Sequence, residues 1–219
     1  MLLQLSNITK IFHTEKDTIK AVDDVSLDIH AGELIAVNGP SGCGKTTLLL
    51  IAGGLLYPDK GDVIIDNTYL YHLSSEQRSK ERARNIGFVF QQFHLLPYLD
   101  ILENVMVPGL GFSSATEERG RELIERFNLT SRIHHKPYQL STGERQRVAM
   151  VRALMNSPRI LFADEPTGNL DDENAEEVMK YIAMFTEEGG GVLLVSHDQR
   201  TSVHSDKTYY MREGKIIIQ

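Results

Sequence analysis

The chain has 219 residues, 41 % of them hydrophobic, with 23 basic and 30 acidic side chains and a formal charge of −7. That length suits one large α/β domain or a core with a subdomain inserted into it, and the acidic balance argues against a protein that holds nucleic acid through its phosphates. The single cysteine, Cys43, leaves no internal disulfide, which fits a reducing compartment. Residues 1–7 lack the basic and apolar regions of a signal peptide. The longest apolar run, residues 48–56, is interrupted by Gly53 and Gly54 and falls short of the roughly 20 residues a membrane span needs. The expectation is a soluble, cytoplasmic chain that serves a membrane only through a partner.

In chain order, residues 2–6 and 21–29 read as antiparallel strands. Val25, Leu27 and Ile29 alternate with Ser26 and Asp28, which gives one wet and one buried face. Ile11-Phe12-His13 and a charged turn, Glu15-Lys16-Asp17, lie between them. The apolar run 34–37 then leads into Gly39-Pro40-Ser41-Gly42-Cys43-Gly44-Lys45-Thr46-Thr47, followed by a second apolar run. Buried strand, glycine-rich loop and helix form the context in which G-x-x-x-x-G-K-[ST] binds phosphate. Glycines let successive N–H groups face one anion, and the helix opening at Lys45 adds its positive dipole end. Lys45 is suited to neutralise β- and γ-phosphate oxygens, the Thr46 hydroxyl to hold Mg²⁺, and Thr47 to reach another phosphate oxygen. Cys43, although near a helix N-terminus, is read as a small filler of the loop.

The helix is expected over 45–54, its late glycines allowing close approach or a C-cap. Residues 63–65 form another strand. Residues 74–84 form a polar helix capped by Ser74 with Gln77, whose basic run is a solvated face given its interleaved acids. Residues 86–90 are a short buried strand. From 92 to about 155 strand signals give way to helices over 102–107, 116–127 and 143–155, the second with a Ser114–Glu117 capping box. This is a helical insertion. Strands return at 159–163 and 191–196, flanking a helix over 172–186 with Val178, Ile182 and Phe185 on one face. A hairpin over 207–218, turning at Glu213-Gly214, closes the chain. The fold class is α/β: a P-loop NTPase core built from 1–91 and 156–219, with an antiparallel β subdomain and an inserted helical subdomain over 92–155.

The strand at 159–163 ends in Asp164-Glu165-Pro166. In a parallel sheet the C-terminal strand ends line the ligand crevice. Asp164 is suited to hold Mg²⁺, and Glu165, one step on, to orient or deprotonate an attacking water.

With these motifs in order, the chain resembles the nucleotide-binding subunit of an ABC transporter over essentially its whole length. The resemblance implies the ABC ATPase fold, ATP hydrolysis with Mg²⁺, and a homodimer formed around ATP. It also implies an integral membrane permease as partner, on the cytoplasmic face of the cell membrane, and no nucleic acid. Phe12 falls where the family stacks an aromatic on adenine. Gln91 matches the glutamine that touches Mg²⁺ and the water and reports nucleotide state to the permease, with Gln92 an adjacent competitor. Leu140-Ser141-Thr142-Gly143-Glu144 matches the family signature, Gly168-Asn169-Leu170-Asp171 the dimer-interface loop, and His197 the γ-phosphate sensor.

Ser141 and Glu144 also form a capping box, and a helix N-terminus is an anion site. In the family this end faces the γ-phosphate held by a second subunit, so each ATP is sandwiched between two chains. Thr142 stands where the family commonly has glycine. A β-branched residue narrows backbone freedom there, and the expectation is a working but slower site. Finer similarity, over 86–97 and 103–105, is to the lipoprotein-release and macrolide-export branch. Competing readings are a regulator of envelope or division machinery that transports nothing, a soluble ABC ATPase, and a nucleotide switch without hydrolysis.

Overall fold

The computed structural model describes residues 1–14, 17–110 and 116–217. Strands β1 (Leu3–His13) and β2 (Thr18–Ile29) open the chain as an antiparallel pair. Both are longer than their apolar alternation predicts. Lys10, Ile11, Phe12 and His13 pair with Val22, Lys20, Ile19 and Thr18, so backbone pairing carries the ribbon past the buried part of its pattern. Of the predicted charged turn, Glu15 and Lys16 lie outside the described residues.

Strand β3 (Leu34–Asn38) is buried at every position and feeds the glycine loop, which opens helix α1 (Lys45–Ala52). Gly53 ends that helix. A Cβ there would stand 2.2 Å from the Phe88 ring, so the glycine serves both as C-cap and for close approach. β4 (Lys60–Ile65) and the short β5 (Thr68–Tyr69), for which the sequence gives no strand signal, complete a four-stranded sheet ordered β2-β1-β4-β5.

Helix α2 (Ser75–Asn85) carries the Ser74–Gln77 capping box, both bonds present. Its basic run is tied into the fold. The buried Arg78 guanidinium lies 4.3 Å from the centre of the Tyr57 ring and 5.6 Å from that of Tyr71, and Arg82 donates to the Gly54 carbonyl at 3.1 Å. β6 (Ile86–Phe90) follows.

Among the described residues of 92–155 the regular elements are all helical: α3 (Ile101–Met106), α4 (Glu117–Arg126), α5 (Thr142–Leu154) and short 3₁₀ turns. The predicted cap Ser114 lies outside the described residues. Thr116 caps α4, its hydroxyl accepting from the Arg119 N–H at 3.2 Å. The chain finishes with β7 (Ile160–Asp164), α6 (Asp172–Glu187), β8 (Gly191–Ser196), β9 (Lys207–Arg212) and β10 (Lys215–Ile217).

The second sheet has the order β10-β9-β3-β8-β7-β6. It is parallel except for β10. Both faces are covered, which is why its strands read as continuous apolar runs. Alternation sends Ile160, Phe162, Leu193 and Val195 to a core shared with α1 and the antiparallel sheet. It sends Leu161, Ala163, Val192 and Leu194 to a second core with α3, α4, α5 and α6. Helix α5 thus packs on the sheet and on the inserted helices at once. Among the described residues no helix is long and apolar enough to cross a membrane.

One tyrosine pins the end of α1. The Tyr71 hydroxyl donates toward the Ile51 carbonyl at 2.7 Å and lies 2.5 Å from that of Leu56, and burial pushes its phenol well above the usual range. Tyr71→Phe leaves the half-buried Leu56 carbonyl without its hydroxyl donor, while the Ile51 carbonyl keeps the Gly54 N–H at 3.0 Å. The expected cost is about 1–2 kcal/mol, read as a fall in Tm of roughly 2–4 °C for each kcal/mol in a chain of this size.

Candidate nucleotide site

The site gathers where four parallel strands end together. Phe90 pairs with Asp164, Asp164 with Val195, and Asn38 with Ser196, so the residues that follow emerge along one edge. In the loop after β3, Pro40, Ser41 and Gly42 are exposed and Cys43 is buried in the core beneath. That burial agrees with its reading as a filler. The Lys45 ammonium is drawn into the loop and donates to the Gly39 carbonyl at 2.8 Å and that of Pro40 at 3.1 Å. Thr46 is exposed and Thr47 half-buried at the start of α1.

The acidic pair completes the opposite wall. The Thr46 hydroxyl donates to Asp164 Oδ1 at 3.1 Å, joining residues 118 apart in sequence. Glu165 sits at φ +47, a left-handed conformation uncommon for a residue with a side chain. Its N–H is anchored on the Val195 carbonyl at 2.9 Å. Its carboxylate accepts from the Ser196 hydroxyl at 3.1 Å, meets His197 Nδ1 at 2.8 Å, and lies 3.9 Å from Lys45 Nζ. Sequence reasoning does not single out Ser196 as a partner of Glu165; its place at a strand end beside the histidine is the available signal.

Gln91 leaves β6 beside this wall. Its carbonyl accepts from Asn169 Nδ2 at 3.1 Å, and its Nε2 lies 3.0 Å from where a Cβ on Gly168 would stand. Gln92 is exposed, and the carbonyls of Phe93 and His94 that follow it accept from Arg152. Phe12 is 40 % exposed on β1 opposite Ile19, with Lys10 Nζ 5.6 Å from the ring centre. β2 passes the phosphate loop at Ala21, whose carbonyl would lie 1.9 Å from a Cβ on Gly44, so Phe12 stands a short way along the same ribbon.

The signature residues open α5. Ser141 accepts from the Glu144 N–H at 3.1 Å, and Glu144 accepts from the Ser141 N–H at 2.7 Å. That backbone bond, with Arg132 beside it, holds the Glu144 carboxyl below its usual range. Thr142 takes the first helical position without a left-handed φ, and Arg145 lies 3.4 Å from its hydroxyl. At Thr142 the backbone is therefore ordinary helix with no left-handed strain. Asp171 caps α6, and the Asn174 N–H and side chain hold its carboxyl below the usual range.

Burial pushes the Asp164 carboxyl above its ordinary range, with the Glu165 charge adding to the rise and Thr46 and Lys45 opposing it. A hydroxyl and a carboxylate in contact are hard oxygen donors that suit Mg²⁺. Among the described residues no group of three or more His, Cys, Asp or Glu could hold a metal by itself. The arrangement fits an ion that takes most of its ligands from phosphate and water. The sign of the pH effect follows from the raised Asp164 value. The folded chain holds that proton to higher pH, and a cation must displace it. Mg²⁺-dependent nucleotide affinity is expected to fall as pH drops into the range just above the ordinary aspartate value of about 3.9. Isothermal titration with Mg²⁺ and with EDTA should show this dependence in the wild type and lose it in Asp164→Asn.

A phosphate loop on a parallel sheet, a Thr–Asp pair beside it and a carboxylate held by Ser196 and His197 define a nucleotide-hydrolysing P-loop fold. The family model for ABC transporters matches residues 22–168. The lipoprotein-releasing system ATP-binding protein LolD of Paramagnetospirillum magneticum is 42 % identical over 219 residues, covering 98 % of this chain and 97 % of the relative. The macrolide export ATP-binding/permease protein MacB of Burkholderia pseudomallei is 38 % identical over 219 residues. Those cover 99 % of this chain but 34 % of MacB, so the chain spans about a third of that relative's length. The dimeric structure of MJ0796, a bacterial ABC transporter cassette, superposes with a TM-score of 0.91 at 38 % identity, covering 98 % of this chain and 96 % of that one. A second MJ0796 structure, a dimeric post-hydrolysis state bound to ADP and Pi, matches equally well. The chain belongs to the ABC transporter family and is an ABC-type ATPase.

Proposed function

We propose that this chain drives a membrane permease by pairing head to tail with a second copy around ATP and separating after hydrolysis. The observation that carries the reading is the meeting of Lys45, Thr46, Asp164, Glu165 and His197 at one edge of the parallel sheet. Gly39–Thr47 cradles the phosphates and Phe12 stacks on the adenine. Mg²⁺, when bound, supplies positive charge beside the phosphate oxygens, and Thr46, Asp164 and Gln91 are the residues that would hold it. Glu165 takes the proton of the attacking water, while His197 and Lys45 face the charge developing on the γ-phosphoryl group. Most of the rate enhancement is positioning plus electrostatics.

The second copy contributes Ser141, Thr142, Gly143 and Glu144 at the N-terminus of α5, an end suited to an anion, and Asp171 from its interface loop. Two such chains make two equivalent composite sites. The segment 92–155 acts as the helical subdomain and Gln91 as its joint to the core. The stretch 92–108, with Tyr98 67 % exposed, is the surface offered to the permease. The chain then lies on the cytoplasmic face of the cell membrane. LolD and MacB, similar over nearly all of this chain, are named for lipoprotein release and macrolide export. Extraction of a lipophilic cargo or mechanical work on the envelope is the task this reading assigns.

Light scattering on Glu165→Gln, with ATP and without it, tests the pairing. A monomer that becomes a dimer only with ATP is expected. A protein that binds ATP and stays monomeric would sink the claim that the chain alone supplies both halves of the site.

A further inference from the structure

Asn174 lies in the first turn of α6, away from the phosphate loop in sequence and outside every motif above, yet it joins two of them. Its Nδ2 donates to both Asp171 oxygens at 2.9 Å, while its own backbone N–H caps the helix on Asp171 Oδ1 at 2.9 Å. On its other side the carboxamide fills the space above the signature glycine. A Cβ on Gly143 would stand 2.0 Å from Asn174 Oδ1 and 2.5 Å from its Cγ. Arg147, one turn further along α5, closes the contact with Nη1 3.5 Å from Asn174 Oδ1 and 2.5 Å from Glu177 Oε2. Gly143 and Asn174 therefore interlock, and the lock continues by hydrogen bonds into Asp171.

We propose that Asn174 is a positioning residue that ties the signature end of α5 to the Asp171 loop, so that the two segments offered to a second subunit are presented as one rigid surface. The inference rests on the head-to-tail pairing above. It explains why glycine stands at 143: the side chain is missing because a neighbouring carboxamide occupies its place. Without that wall the first turn of α5 loses its own contact with α6 and is held only through Arg147 and Glu177, one turn further on. The anion-facing N–H groups and the Asp171 loop would then have to be ordered separately at the moment of pairing, and that ordering costs free energy.

Asn174→Ala removes only the carboxamide, since the capping backbone N–H remains. Two readouts on the Glu165→Gln protein decide the matter. The first is hydrogen exchange in the ATP-free monomer, where the Glu144 amide, protected by Ser141, should exchange at least tenfold faster in Asn174→Ala. The second is ATP-dependent pairing, whose dissociation constant should rise at least tenfold while the affinity of the monomer for ATP stays unchanged. Gly143→Ala should impair pairing by itself. Combined with Asn174→Ala, which vacates the space, it should add little further loss. Unchanged exchange at Glu144, unchanged pairing in Asn174→Ala, or independent additive losses in the double variant would each overturn the proposal. If the parent Glu165→Gln protein does not pair with ATP at all, the pairing reading fails instead, and the exchange measurement still judges the interlock.

Discussion

Glu165→Gln is expected to bind ATP with near-native affinity and to lose at least about 100-fold in turnover, the usual scale for removing a general base. The residue keeps its shape, and a glutamine carbonyl still accepts from the Ser196 hydroxyl at the position of Oε2. What vanishes is the proton acceptor and its charge. The wild-type carboxylate is oriented by Ser196 at 3.1 Å and His197 at 2.8 Å, with its other oxygen 3.9 Å from Lys45. Binding should survive, because the loop that cradles the phosphates makes its bonds without Glu165: Lys45 is held by the Gly39 and Pro40 carbonyls. Phosphate release and equilibrium ATP binding, measured on the same preparation, separate the two effects. Turnover at the wild-type rate would remove Glu165 from the chemistry and leave Asp164 as the next candidate base.

Gly44→Ala is expected to cost about 3 kcal/mol or more and to abolish nucleotide binding. Two penalties add at this position. The backbone sits at φ +111, a region L-residues rarely adopt, and a Cβ would lie 1.9 Å from the Ala21 carbonyl oxygen, a backbone atom of β2 that cannot swing aside. Gly42 provides the contrast inside the same loop. It has φ +78, and a Cβ added there would meet nothing within 4 Å, so Gly42→Ala should pay only the conformational cost of roughly 1–2 kcal/mol. Thermal unfolding of the pair, with ATP titration of each, distinguishes strain from collision. Equal Tm values for the two variants would mean that β2 gives way and that the contact with Ala21 does not set the loop.

The antiparallel opening, the strand–loop–helix around Lys45 and the acidic strand end at Asp164 are legible in the sequence because local pattern encodes them. Period-two alternation, continuous apolar strands and capping boxes at Ser74 and Ser141 are written within a few residues of each other. The cap of α4 falls two residues from its predicted place because Thr116 and Ser114 offer the same hydroxyl, and the local string does not choose between them. The length of β1 is not legible because its outer half is held by pairing with β2, not by burial. Arg78 reads as a solvated charge, and only the approach of Tyr57 and Tyr71 from two other segments reveals a buried cation between rings.

By itself the sequence determined the class of chemistry, since G-x-x-x-x-G-K-T after a buried strand admits few uses other than phosphate binding. It also determined most of the strands and helices, though not the short β5 or the outer half of β1. The tertiary structure alone decided the strand order β3-β8-β7-β6, and that order sets Thr46 against Asp164 and Glu165 against Ser196 and His197. It alone decided that the carboxamide of Asn174 stands where Gly143 has no side chain. The physical reason is range. Propensity and periodicity act over a turn or a strand, whereas register and close contact depend on distant surfaces closing around two shared cores.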